Sequence, residues 1–332
     1  MFAQAPRFWD NPKDAPGWQA HALSPLATLW RWETARRLSR PAQYQAPCPV
    51  ICIGNLTVGG TGKTPVVQDL MAGLIQHGRR PVVLSRGHGG TNVGPLAVDT
   101  ATHQAKDVGD EPLLLAQFGP VWVARNRAEG ARAIVAADAG DIILMDDGFQ
   151  SPSLAKDLAV VVVDANAGFG NGRIVPSGPL REPVASGLAR ADAVVTMGDT
   201  EQGQTLIAGL DIAPKHHLSA SLRSLQTGLS LAGMPVIAFA GIGRPEKFFA
   251  SLRDQGAKVL ATHPLADHAV LSETFLRRVV RDARLQGAQV VTTEKDAMRL
   301  PDWARLEILV LPVRVSWHGQ TLTEFCVPRL GL

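Results

Sequence analysis

Lys63 and Thr64 sit at the end of a glycine-rich turn, where their side chains could hold phosphate and a metal ion. The stretch reads Val50-Ile-Cys-Ile-Gly-Asn-Leu-Thr-Val-Gly-Gly-Thr-Gly-Lys-Thr-Pro65. Its first four residues read as a short buried strand. Thr57, Val58, Gly59, Gly60, Thr61 and Gly62 form a loop, and Lys63 opens an amphipathic helix to about His77. Strand, glycine loop and helix N-terminus in this order make a P-loop. Glycines let backbone amides approach phosphate, and the free N–H groups and dipole at the helix start favour an anion. Lys63 would reach β/γ-phosphates, and the Thr64 hydroxyl would bind Mg²⁺. Pro65 fits the first helical turn, where an N–H has no partner to lose. The usual glycine seven residues before the Ser/Thr is here Thr57, and Gly59 and Gly60 supply freedom inside the loop instead.

Other residues could complete such a site. Asp141-Ile-Ile-Leu-Met-Asp146-Asp147-Gly148 is an apolar strand ending in two carboxylates. Beside a P-loop, Asp146 and Asp147 at a strand tip are candidates for Mg²⁺, held directly or through water; alone they could be a solvated turn. Asp110, in Gly109-Asp-Glu-Pro112, is placed to cap the following helix. A carboxylate over the phosphates could equally orient or deprotonate a hydroxyl, and spacing does not separate these uses. Arg86, Arg125, Arg127, Arg173 and Arg181 lie in loops after strands, and several such cations on one sheet edge would suit an anionic substrate. Asp267-His268 is a lone histidine beside an acid, able to assist proton transfer if its pKa rises. His216-His217 lacks ligand spacing and reads as loop. Thr293-Glu-Lys-Asp296 ends a strand and could contact nucleotide or stabilise its surroundings.

The elements that must position these groups alternate from Pro49 onward. Runs rich in Val and Ile at residues 50–53, 82–85, 121–124, 142–145, 159–163 and 194–196 suit a parallel sheet covered on both faces. Residues 111–118 and 127–137 read as intervening helices. The expected fold is α/β, a P-loop NTPase-like mostly parallel sheet with helices on both faces, plus a second, smaller α/β domain. The expected division is an N-terminal segment at 1–45, a P-loop domain at 46–198, a linker at 199–234 and the smaller domain at 235–332. In the last, 236–240, 290–293 and 308–315 read as strands, 246–255 and 272–286 as helices. Residues 1–22 are rich in Pro and Trp without a period, and 24–40 read as a basic helix carrying Leu26, Leu29, Trp30 and Leu38. Such a helix can lie in a bilayer interface or pack on its own domain. At 332 residues the chain has room for about two domains. A net charge of +3 gives no reason to expect nucleic acid, and three cysteines without metal-ligand spacing point to unpaired thiols in a reducing compartment. No apolar run reaches the length of a membrane span and no signal pattern opens the chain, which places it in the cytoplasm.

Taken together the segments resemble one family, the tetraacyldisaccharide 4′-kinases of Gram-negative bacteria. The resemblance is carried by Gly54–Pro65, Leu84-Ser-Arg-Gly87, Gly109-Asp-Glu-Pro112, Asp146-Asp-Gly-Phe-Gln150, Phe169-Gly-Asn-Gly172, Gly178-Pro-Leu-Arg-Glu-Pro183, Asp267-His268 and Thr293-Glu-Lys-Asp296. It implies transfer of the ATP γ-phosphoryl group to the 4′-hydroxyl of a tetraacylated disaccharide 1-phosphate in lipid A biosynthesis. It implies that Lys63 and Thr64 hold phosphate and Mg²⁺ and that Asp146 and Asp147 serve the metal. Asp110 becomes the base for the hydroxyl, His268 its support, and Arg181 an active-site residue. It implies two domains closing over the site and a peripheral enzyme on the cytoplasmic side of the inner membrane, reaching its glycolipid through the helix at 24–40. His88, Ser151 and Ala269 depart from the family's pattern, so His268 stands without a second histidine. Rival readings are a P-loop regulatory or metallochaperone GTPase, poorly matched by Thr293–Asp296 as its base-reading element, and a non-catalytic membrane-docking protein.

Overall fold

Alternation of apolar side chains along each strand decides the layers. In the computed structural model, which describes residues 5–225, 230–267 and 269–332, Ile51 and Ile53 face one way. They pack with Val66, Val67, Leu70 and Leu74 of the helix Lys63–Gln76. Val50 and Cys52 face the other way, toward Ala131 and Ile134 of the helix Arg127–Ala136 and Leu188 of Val184–Arg190. Period-two burial of this kind requires helices on both faces.

Among the described residues thirteen strands form two sheets. They are β1 (Val50–Gly54), β2 (Pro81–Ser85), β3 (Leu96–Ala97), β4 (Val121–Val123), β5 (Ile142–Asp146), β6 (Leu158–Asp164), β7 (Ala193–Met197), β8 (His217–Ser224), β9 (Pro235–Ala240), β10 (Lys258–Pro264), β11 (Gln289–Thr293), β12 (Ile308–Leu311) and β13 (Val313–Trp317). The large sheet runs β13-β8-β7-β6-β1-β5-β2-β4-β3 and the small one β10-β9-β11-β12. The small sheet and the core of the large one are parallel; among the described strands only those at the edges, β3 and β13, run antiparallel to their neighbours. The P-loop follows β1, which lies between β5 and β6, so the tips of those strands border it.

Two expectations change. Residues 199–234 are not simply a linker, for they supply the helix Thr200–Ala208 and β8, a member of the large sheet. β8 buries only Leu218 and Ala220, a weak alternation, and the sequence suggests a few short strands within a linker rather than a member of the large sheet. The run at 308–315 is two strands. Pro312 has no N–H to offer a ladder, and across it β12 stays in the small sheet while β13 returns to pair with β8. The helix Leu322–Leu330 then packs on Lys63–Gln76, with Thr323 against Gly73.

The N-terminal residues are partly tied down. Trp9 is buried, its Nε1–H donates to the Pro176 carbonyl at 3.1 Å, and Asn171 donates to the Phe8 carbonyl at 3.2 Å. The helix Ser24–Leu38 buries only Ala27 and Thr34, one side of it, and exposes Leu26, Leu29, Trp30 and Trp32. Among the described residues no helix is long and apolar enough to cross a membrane.

Candidate active site

Gly62 caps the helix Lys63–Gln76 in the left-handed region (φ 88°), which lets the chain turn from loop into helix without a strained side chain. Val58, Gly59 and Gly60 are exposed, Thr57 and Thr61 buried, Lys63 and Thr64 partly exposed. The loop is held from the side by the segment 178–181. The Val58 N–H donates to the Pro179 carbonyl at 2.8 Å, the Arg181 N–H donates to the Leu56 carbonyl at 2.7 Å, and Thr57 and Leu180 bridge antiparallel. This pairing delivers the Arg181 side chain to the site.

The two aspartates at the tip of β5 diverge. Asp147 adopts φ 47°, a conformation Asp tolerates better than most residues. Its carboxylate meets Lys63 at 3.5 Å and takes two hydrogen bonds from the Arg181 guanidinium at 3.0 and 3.2 Å. Burial pushes that carboxyl up, but Lys63 and Arg181 outweigh it and hold it well below the usual range. Asp146 is buried and accepts from the Ser85 hydroxyl at 3.2 Å. Burial, with Glu111 and Asp147 nearby, raises it to about 7. One carboxylate is thus matched by cations, and its neighbour is short of them.

The second sheet approaches the same edge. Gly243, in the turn after β9, lies so close to Gly60 that a Cβ on it would come within 3.1 Å of the Gly60 nitrogen. Asp164, at the tip of β6, pairs with Arg244 at 3.3 Å and Lys247 at 2.6 Å. Lys295 pairs with Glu111 at 3.0 Å and Asp267 at 3.3 Å. Burial works against the Lys295 charge, yet Glu111, Asp110 and Asp267 raise its pKa.

Asp110 is not the cap residue. Gly109 holds that position, and Asp110 is the first residue of the helix Asp110–Leu115, its Oδ1 accepting from the Glu111 N–H at 3.0 Å. Its carboxylate is buried, 3.8 Å from the Arg299 Nε. His268 lies outside the described residues. Arg127 is removed from any substrate surface: it is buried and donates to the carbonyls of Ala124 at 2.7 Å and Asp146 at 3.2 Å, bracing two strand ends. Arg86 and Arg125 are exposed and Arg173 partly so. His217 opens β8 and its Nε2 lies 2.9 Å from the Thr196 hydroxyl, so it belongs to the sheet and not to a loop. Thr293–Asp296 divides between the two lobes: Lys295 and Glu294 pair with Glu111 and Arg314 of the large-sheet side, while Thr293 and Asp296 serve the small sheet. Asp296 is fully buried and accepts from the Gly241 N–H and the Thr293 hydroxyl, so it does not face a nucleotide base.

The sequence offered signals for some residues passed over. Arg244 and Lys247 open the helix Pro245–Asp254, where the dipole disfavours cations. Misplaced charges of this kind call for a facing carboxylate, and Asp164 is it. Arg299 and Ser85 carry no comparable signal, because Asp110, Gly241 and Ala269 for the one and Asp146 for the other are remote in the chain.

A family model described as Tetraacyldisaccharide-1-P 4′-kinase matches residues 19–329. A curated Tetraacyldisaccharide 4′-kinase of Dinoroseobacter shibae is 54% identical, covering 95% of this chain and 94% of the relative. Another of Jannaschia sp. is 51% identical, covering 94% of each. Among solved structures, LpxK from Aquifex aeolicus in complex with ATP superposes with a TM-score of 0.73 at 24% identity, covering 94% of this chain and 99% of that one, a likeness of fold.

Proposed function

We infer that this chain, which belongs to the tetraacyldisaccharide-1-P 4′-kinase family, transfers the γ-phosphoryl group of ATP to the 4′-hydroxyl of a tetraacylated disaccharide 1-phosphate in lipid A biosynthesis. The observation that carries the site assignment is the meeting of Lys63 and Arg181 on Asp147 beside the P-loop, with Asp146 at its back. In this reading the residues of 57–64 cradle the triphosphate, with loop amides and Lys63 stabilising charge on its β/γ oxygens. When phosphate enters, Lys63 exchanges Asp147 for it, and Arg181 keeps Asp147 paired.

The residues fit Mg²⁺. Thr64, Asp146 and Asp147 are oxygen donors, and the Asp146 carboxyl, held up to about 7, sits where positive charge is wanting. Among the described residues no three acidic, His or Cys side chains cluster to hold a metal alone. Mg²⁺ commonly uses one or two carboxylates and the substrate's phosphates. Bound there, the ion would neutralise charge on the phosphates.

The acceptor oxygen attacks the γ-phosphorus as the bond to the β-bridging oxygen breaks and ADP departs. Asp110 accepts the hydroxyl proton as the new bond forms, with His268 as its support. The exposed Leu26, Leu29, Trp30 and Trp32 dock the enzyme on the cytoplasmic face of the inner membrane, where an acylated acceptor resides. Arg173 reaches the Ser24 hydroxyl at 3.4 Å, so that helix starts beside the loop leading to Arg181.

The test is transfer of labelled γ-phosphate from ATP to purified lipid A disaccharide 1-phosphate. Asp110→Ala is expected to keep ATP binding and lose roughly 10²- to 10⁴-fold in kcat. Turnover at the wild-type rate would remove Asp110 from the chemistry, and absence of transfer by the wild type would overturn the activity.

A further inference from the structure

Arg299 follows the helix Glu294–Ala297 and joins segments from both sheets. Its Nη1 donates to the Ala269 carbonyl at 2.7 Å. Its Nη2 donates to the Gly241 carbonyl at 3.3 Å and to Asp296. Its Nε faces the Asp110 carboxylate at 3.8 Å, close enough for an ion pair and too far for a hydrogen bond. Among the described residues that buried Nε has no hydrogen-bond partner. The Gly241 N–H in turn donates to both Asp296 oxygens at 3.1 Å, and Gly243, two residues on, rests against Gly60 of the P-loop.

We propose that Arg299 is the positioning residue for the acceptor base, aligning Asp110 with the turn that covers the nucleotide loop; this rests on reading Asp110 as the base. One planar guanidinium contacts the large-sheet helix that starts at Asp110 and the small-sheet turn at Gly241. The base and the P-loop cover are therefore set relative to each other by a single rigid group. The buried Nε–H, turned to a carboxylate just beyond bonding distance, completes its bond when Asp110 moves by less than about 1 Å. A lysine keeps the charge but not the planar fork, so it cannot span these acceptors together. The competing role is local: Arg299 could merely neutralise Asp296 inside the small sheet.

Steady-state kinetics on the full chain separate the two. The set is wild type, R299K, R299A, D110A, D110A/R299K and D110A/R299A, each with its Tm recorded. R299K, folded with a Tm near wild type, is expected to lose on the order of 10²-fold in kcat while the KM for ATP stays within about twofold. In the D110A background the same change is expected to cost less than about threefold, because the residue it acts through is gone. R299K carries the cycle if R299A does not fold. A folded R299K with wild-type kcat overturns the proposal, and so does a loss of equal size with and without Asp110. D110A at the wild-type rate sinks the base reading itself, whereas an impaired D110A beside a fully active R299K sinks only the role of Arg299.

Discussion

Asp146 shows how a neighbouring pair of identical residues comes to differ. Asp147 turns toward two cations, while Asp146 turns inward to one hydroxyl. A carboxyl raised to about 7 has a folded pKa above the unfolded value of about 3.9. Below the unfolded value both states hold the proton and nothing is lost. As pH rises from about 4 to about 7 the folded state keeps a proton the unfolded state has released, and stability falls until Asp146 ionises. Asp146→Asn removes that loss. Without nucleotide or metal, its Tm is expected to exceed wild type by several degrees at about pH 8 and by much less at about pH 4. Equal offsets at both values, read by calorimetry, would show that this carboxyl does not drive the difference. The residues themselves were legible from the strand that ends in them. Their unequal environments were not, since Ser85, Glu111 and Arg181 come from segments far apart in sequence.

At the scale of elements, the helix Ser24–Leu38 and the turn at Gly243 have separable tasks. The helix exposes Leu29, Trp30 and Trp32 and touches the body through Ala27 and Thr34. Replacing those three exposed residues by Ser is expected to abolish sedimentation with anionic lipid vesicles and to leave turnover on detergent-dispersed substrate within about twofold. Retained vesicle binding would remove the helix from membrane docking. Deleting residues 1–40 is the poorer experiment, because Trp9 anchors the loop that leads to Arg181. At Gly243 a methyl group would press on the P-loop nitrogen of Gly60. Gly243→Ala is expected to bind ATP normally and to lose kcat by roughly 10-fold or more, as the cover stands off the loop. Unchanged kcat would mean that this approach has no part in turnover. The central parallel strands of the large sheet were readable because they are short runs rich in Val and Ile, whereas β10, Lys-Val-Leu-Ala-Thr-His-Pro, is not one. β8 lies inside the sheet, between β7 and β13, yet it buries only Leu218 and Ala220, and its polar residues blur the pattern; β13 is merged with β12 in the run at 308–315.

At the scale of the whole molecule, the small sheet is an insertion within the large one. The chain leaves the large sheet after β8 and comes back at β13, its two ends joined by the Leu225 N–H to the Pro312 carbonyl at 2.9 Å. Across the cleft the lobes are tied by Asp164 to Arg244 and Lys247 and by Lys295 to Glu111. Pairings of this kind depend on which loops the sheet order brings together, so the sequence can announce a cation in need of a partner, as at Arg244 and Lys247, but not the partner. The double crossing also has a mechanical meaning. Two attachment strands paired side by side bring both crossings of the lobe to one edge of the large sheet, while the ion pairs across the cleft hold its far side. They make the lobe a removable cassette as well. Replacing residues 226–311 with a short hairpin turn is expected to yield a folded large sheet that still binds ATP and transfers no phosphate, with circular dichroism and nucleotide titration as the readouts. A product that cannot fold would mean the lobe is a structural organ of the sheet and not a guest upon it.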